Sequence, residues 1–155
     1  MKDLVVDLLP DEEAVRTVAS WQWQEWGAGY PDMTLDGFVT EVRKALRSAT
    51  IPIVLVARVG VEVIGTASII LNDLPTRQDL KPWLASVFVL PEYRNSGIGT
   101  SLTREAIKHA KILKLRSLYL FTHDKTAFYK KFGWREVDRA VFMGEDVDIM
   151  ILNII

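Results

Sequence analysis

The residues best suited to do chemistry lie in Val87-Phe88-Val89-Leu90-Pro91-Glu92-Tyr93-Arg94-Asn95-Ser96-Gly97-Ile98-Gly99-Thr100. An apolar run ends in a polar loop, and the loop opens a helix-period segment at two glycines. The first N–H groups of a helix have no intrahelical partner, and the aligned peptide dipoles make that end positive. Glycines remove the side chains that would hold a ligand off the main chain. The result is an anion cradle suited to a pyrophosphate. Two familiar phosphate loops fail on spacing. A P-loop needs Gly-Lys-Ser/Thr, but Gly99 is followed by Thr100-Ser101 with no lysine. A dinucleotide fingerprint needs a third glycine where Leu102 stands and a first glycine directly after the strand, yet Pro91 to Ser96 intervene.

The elements around the cradle follow from periodicity and punctuation. Residues 4–9 are β-branched and leucine-rich, and they end at Pro10, which predicts a first strand. Pro10-Asp11-Glu12-Glu13 places a cap residue and acids where a helix N-terminus favours negative charge. The helix that follows carries Val15, Ala19, Trp23 and Trp26 as its expected inward stripe, widened by Val18 and Trp21. Gly27-Ala28-Gly29-Tyr30-Pro31 breaks it. Thr34 opens a second helix with Phe38, Val42, Ala45 and Leu46 inward. Ile51 to Arg58 and Glu62 to Leu71 read as a hairpin about Val59-Gly60-Val61, and residues 72–77 as a turn-rich connection. Trp83 to Leu90 is apolar on both faces, as a covered central strand is. Ile98, Leu102, Ala106, Ala110 and Leu113 then mark a helix of about five turns. A strand at 118–121, a brief helix at 126–132 and strands at 134–142 and 147–154 complete the chain. The order β-α-α-β-β-β-α-β-α-β-β predicts a mixed α/β sheet with one parallel crossover near the middle.

Composition narrows the function classes. The 155 residues match one domain of ordinary size, expected here as a single domain over 1–155. Cys 0 excludes disulfides, thiolate metal sites and a cysteine nucleophile. With only His109 and His123, no His-built metal site is expected. Net charge −1 gives no chain-wide attraction to nucleic acid or an anionic membrane, so neither partner is expected. The apolar run at the N-terminus is too short and too acidic for a signal peptide, and Val63 to Leu71 is half a membrane span. A cytoplasmic location is the expectation.

Arg94-x-x-Gly97-x-Gly99 after a strand and Pro91-Glu92-Tyr93 resembles the coenzyme A motif of the GNAT superfamily of N-acetyltransferases. The later Phe128-Tyr129-Lys130-Lys131-Phe132-Gly133-Trp134 is similar to a second motif of that family, in the right order, and the element order matches its fold across the chain. Thr122-His123-Asp124 is also similar to a string in actin N-terminal acetyltransferases, a likeness too short to carry a substrate. The resemblance implies a central mixed sheet flanked by helices and acetyl-CoA as co-substrate. It implies that main-chain N–H groups of Asn95, Ser96, Gly97, Ile98, Gly99 and Thr100, with Arg94, hold the pyrophosphate. Val87, Phe88 and Val89 would pair with the pantetheine arm where two parallel strands splay. Tyr129 matches the tyrosine that protonates the departing thiolate, and an N–H of the strand holding Phe88 would stabilise the oxyanion. The acceptor is then a primary amine of a small molecule, a peptide or a protein N-terminus.

One departure matters most. Many relatives carry a carboxylate on the strand before the loop, where this sequence has Ala85 and Ser86. The general base is therefore open among His123, Asp124, Glu25 and Asp32, acting directly or through water. An α-amine, with a pKa of about 7.7–8.0 against about 10.4 for a lysine-type amine, needs less help. Trp26 and Tyr30 flank the Gly-rich break where this family builds its acceptor pocket, together with His123 and Asp124 as lining candidates. Asn95 replaces a usual loop glycine but tolerates a left-handed backbone, and Lys114 stands where the helix usually ends at glycine.

Competing readings give each feature an ordinary explanation. A domain that binds CoA and senses it without turnover fits the empty base position, and an NAD-binding redox domain would respond to NAD and not to CoA. Tyr129 packs beside Phe128 and Phe132, His109 edges a helix face, and Arg43, Lys44 and Arg47 read as a solvated face. Lys130-Lys131 could meet the 3′-phosphate of CoA or simply face solvent. The tail Ile149 to Ile155 could pair with a second copy, giving a homodimer, or lie as a covered edge strand.

Overall fold

The computed structural model describes residues 3–155. Its elements in chain order are β1 (Leu4–Leu8), α1 (Glu12–Trp26), α2 (Leu35–Arg43), β2 (Ile53–Val59), β3 (Glu62–Ile70), β4 (Trp83–Val89), α3 (Ile98–Ile112), β5 (Ser117–Thr122), α4 (Thr126–Lys130), β6 (Arg135–Phe142) and β7 (Glu145–Asn153). Short 3-10 turns occupy Gly27–Gly29 and Pro91–Tyr93. The strands form one seven-stranded sheet in the order β1-β2-β3-β4-β5-β7-β6. All neighbours run antiparallel except β4 and β5.

Helix starts follow the cap chemistry read from the sequence. Asp11 accepts a hydrogen bond from the Ala14 N–H at 2.9 Å, and Thr34 accepts from the Gly37 N–H at 3.0 Å. Alternation along β2 then divides the core. Val54 and Val56 meet Val15, Val18, Ala19, Phe38 and Val42 from α1 and α2. Ile53, Leu55 and Ala57 meet Ile98, Leu102, Ala106 and Ala110 of α3 and Tyr129 of α4. Arg43 lies on the expected solvated face and there also joins α2 to α1, through two hydrogen bonds to Glu12 of 2.8 and 3.1 Å.

Two expectations are corrected. Trp23 is 44% exposed and Gln22 takes the buried place on α1, because the helix turns its Val15–Ala19–Gln22 line to the sheet. The segment from Ile149 is not an edge strand: β7 lies between β5 and β6 and is paired on both sides through Ile151, with Leu152 and Asn153 paired to β5 alone. The edges are β1 and β6. Among the described residues, no helix is long and apolar enough to cross a membrane.

Candidate functional site

The central feature is a parting of strands. β4 and β5 share a single ladder pair, Trp83 with Tyr119, supported by the Tyr119 N–H donating to the Pro82 carbonyl at 2.9 Å. Beyond that pair the strands diverge, and from Leu84 onward the β5-facing edge of β4 has no strand partner. On its other side β4 stays with β3, but with a bulge: Ala85 pairs with Ser68 and Phe88 with Thr66, leaving one more residue on β4 than on β3. Ser86 absorbs the bulge at φ 55°. The Ser68 hydroxyl, opposite Ala85, is buried with no hydrogen-bond partner.

The loop after β4 delivers the cradle that the sequence predicts. Arg94 folds back, its Nε donating to the Val89 carbonyl at 2.9 Å and its guanidinium carbon 5.6 Å from the Phe88 ring centre. It fastens the loop to the strand instead of reaching outward. Asn95 sits at φ 62° and Gly97 at φ 83°, so the left-handed backbone expected of Asn95 is observed. The first bond of α3 runs from the Ser101 N–H to the Gly97 carbonyl at 3.1 Å, which leaves the N–H groups of Ile98, Gly99 and Thr100 outside the ladder. A Cβ at Gly97 would touch nothing within 4 Å, so glycine is demanded there by its dihedral and not by crowding. A Cβ at Gly99 would stand 3.7 Å from the Phe128 ring, which puts the start of α3 against the residue next to Tyr129. The loop and Tyr129 thus belong to one side of the sheet.

Tyr129 is buried, with its ring edge-on to Phe128 at 5.0 Å and to Trp134 at 5.7 Å. Burial first, and the nearby Asp124 charge second, push its phenol up to about 12. Lys130 turns to Glu136 at 3.6 Å.

On the opposite face a second set assembles. Trp21 packs on Phe88 with ring centres 5.1 Å apart. Tyr30 packs against Phe38 and Phe142, Phe142 against Phe121, and Phe121 against Trp83, so rings from the α1–α2 segment reach the base of the parting strands. Gly29 lies so close to Phe142 that a Cβ there would collide with the ring. The Tyr30 hydroxyl donates to the Asp73 carboxylate at 3.0 Å and lies 2.8 Å from the Asp73 carbonyl. Burial raises Asp73 to about 7 despite the hydrogen bond from Tyr30, which acts the other way. The Tyr30 phenol rises well above its ordinary range, by burial and then by Asp73. His123 is exposed at the end of β5, its Nε2 3.3 Å from Glu145 and 3.7 Å from Asp124.

The structure therefore gathers Tyr30 into the ring cluster and joins His123 to Asp124, whereas Trp26 enters none of these groups; Glu25 and Asp32 are exposed. Asp73, Phe142 and Glu145 are additions. Asn72-Asp73-Leu74-Pro75 carries only a turn signal in sequence, and Phe142 and Glu145 reach the site through the β6–β7 hairpin, whose place in the sheet spacing does not reveal. Among the described residues, no three metal-ligating side chains converge.

Residues 51–136 match the family model described as an acetyltransferase (GNAT) domain. No curated protein sequence matches the chain. Solved structures do. The chain is similar to the acetyltransferase of the GNAT family from Streptococcus pneumoniae, at 19% identity and TM-score 0.70, covering 97% of this chain and 98% of that one. It is similar to a Salmonella typhimurium protein solved with its cofactor acetyl-CoA, at 16% identity and TM-score 0.75, covering 98% and 94%. It is also similar to an aminoglycoside 6′-N-acetyltransferase complexed with coenzyme A, at 17% identity and TM-score 0.71, covering 97% of each chain.

Proposed function

Since this chain belongs to the GNAT family of acetyltransferase domains, we propose that it transfers the acetyl group of acetyl-CoA directly to a primary amine. The observation that carries this reading is the unpaired edge of β4 beside a glycine-started helix. The two together offer an extended ligand arm a strand to pair with and its phosphates a row of free N–H donors.

Acetyl-CoA supplies an activated acyl group, and the residues present fit it. The N–H groups from Asn95 to Thr100 hold the phosphates, and the main chain of Val87 to Val89 holds the arm. Arg94 contributes by keeping the loop folded on Val89. An N–H of β4 near Phe88 stabilises negative charge on the carbonyl oxygen. Tyr129 faces the departing sulfur. Its phenol is a weaker acid than an ordinary thiol of about 8.5, so it stays protonated and acts first as a hydrogen-bond donor, the proton following as charge builds on sulfur. The amine must arrive neutral, and His123 is the preferred proton acceptor. What supports it over Glu25 and Asp32 is its contact with Glu145, which can orient the imidazole.

The test is release of free CoA thiol from acetyl-CoA over a panel of amines and peptides. Turnover with at least one amine is expected, together with loss of CoA binding in Gly97→Glu, which fills the cradle with a strained, negatively charged side chain. CoA binding without thiol release for any amine favours the sensor reading, and unchanged CoA affinity in Gly97→Glu removes the site.

A further inference from the structure

Resting on that reading, we propose that Asp73 is a specificity subsite for a second positive charge on the acceptor, so that a diamine is preferred to a monoamine. Asp73 lies in the β3–β4 connection, three residues beyond Ile70, which pairs with Trp83 at the root of the parting strands. Three residues of chain reach at most about 10 Å, so Asp73 stands within that distance of the root, at the end of β4 opposite Val87 to Val89. One of its oxygens accepts from Tyr30, no donor meets the other among the described residues, and the residue is only half-buried, so a ligand can approach it. Among the described residues no lysine or arginine pairs with it. Arg77, in the same connection, is engaged by Asp79 at 3.1 Å and by Asp138 of β6 at 2.6 Å. A half-buried carboxylate without a cation keeps only part of its hydration, and an ammonium ion completes it. Tyr30 brings an aromatic ring beside the carboxylate and packs it on Phe142. That place at the root, away from Val87 to Val89, assigns this cation to the far end of the acceptor, not to the reacting amine.

Tyr30 is the titratable group facing Asp73 from the α1–α2 segment; Arg77, Asp79 and Asp138 are committed to one another. The charge on Asp73 is therefore present above about 7 and fades below it, and the diamine preference fades with it.

The experiment compares 1,4-diaminobutane with n-butylamine, following thiol release by wild type and Asp73→Asn, whose amide oxygen can still accept from Tyr30. Wild type is expected to favour the diamine by about tenfold or more in kcat/KM at alkaline pH, through KM, with the ratio shrinking in mild acid. Asp73→Asn is expected to bring the ratio near one while n-butylamine turnover and KM for acetyl-CoA stay within about twofold. Equal preference in wild type overturns the proposal. So does an intact ratio in the variant, or an equal loss for both amines, which marks a tie that only holds the segment. If wild type releases thiol from neither amine, the functional reading is decided by the wider panel of amines and peptides. Calorimetry with 1,4-diaminobutane then decides for Asp73: weaker binding by Asp73→Asn supports the subsite, and equal binding overturns it.

Discussion

Tyr129 and Asp73 are both shielded from water, and shielding serves them differently. For the phenol it guarantees a proton, since a group near 12 is fully protonated at any working pH. For the carboxylate it makes charge conditional, near 7. Tyr129→Phe keeps the ring contacts with Phe128 and Trp134 and removes only the donor. Steady-state kinetics should show kcat lower by about a hundredfold, with CoA affinity within about twofold by calorimetry. Equal kcat would leave Tyr129 a packing residue. The two residues also differ in legibility. Tyr129 sits in a spaced aromatic motif beside a glycine, whereas Asp73 sits in a turn composition that thousands of surface loops share. Only the long-range bond from Tyr30 distinguishes it, and that contact spans a sequence separation no local pattern encodes.

At the scale of elements, α3 shows how much periodicity reveals. Its buried line Ile98, Leu102, Ala106 and Ala110 is the one that spacing predicts. At its end Lys114 takes the left-handed conformation that a glycine usually supplies, φ 57°, and the Leu115 N–H reaches the Ala110 carbonyl at 3.1 Å. A lysine there carries strain of roughly 1–2 kcal/mol, partly offset by the greater unfolded-state freedom of glycine. Lys114→Gly should therefore stabilise the protein by about 0.5–1 kcal/mol, read as a higher denaturant midpoint at unchanged slope. Two elements were less legible. In α1, hydrophobicity points to Trp23, but geometry buries Gln22, because a stripe chosen by residue type ignores where the helix axis meets the sheet. In β4, the left-handed turn falls on Ser86, where no glycine announces it.

For the molecule as a whole, chain order foretold the classes of element and the parallel pair but not that β7 would enter between β5 and β6, since spacing says nothing about which neighbours a late strand finds. Global stability should register the cost of Asp73. Its folded-state pKa is raised to about 7, so the folded protein holds a proton that the unfolded chain releases near 3.9. Stability then declines as pH rises from about 4 to about 7 and levels off above, the total being of order 2–4 kcal/mol. Asp73→Asn should lack that decline and, in alkaline buffer, unfold at a higher temperature than wild type, which thermal melts across pH will show. A variant sturdier than its parent yet poorer with diamines would mark a residue retained for use and not for folding. The solitary rung between Trp83 and Tyr119 carries a further consequence. Two blocks of strands hinged at one point owe their mutual angle to little besides the packing beneath them. An extended molecule lodged in the gap would act as mortar, so amide exchange along Leu84 to Val89 should slow sharply once the gap is filled, while the outer strand β1 keeps its pace.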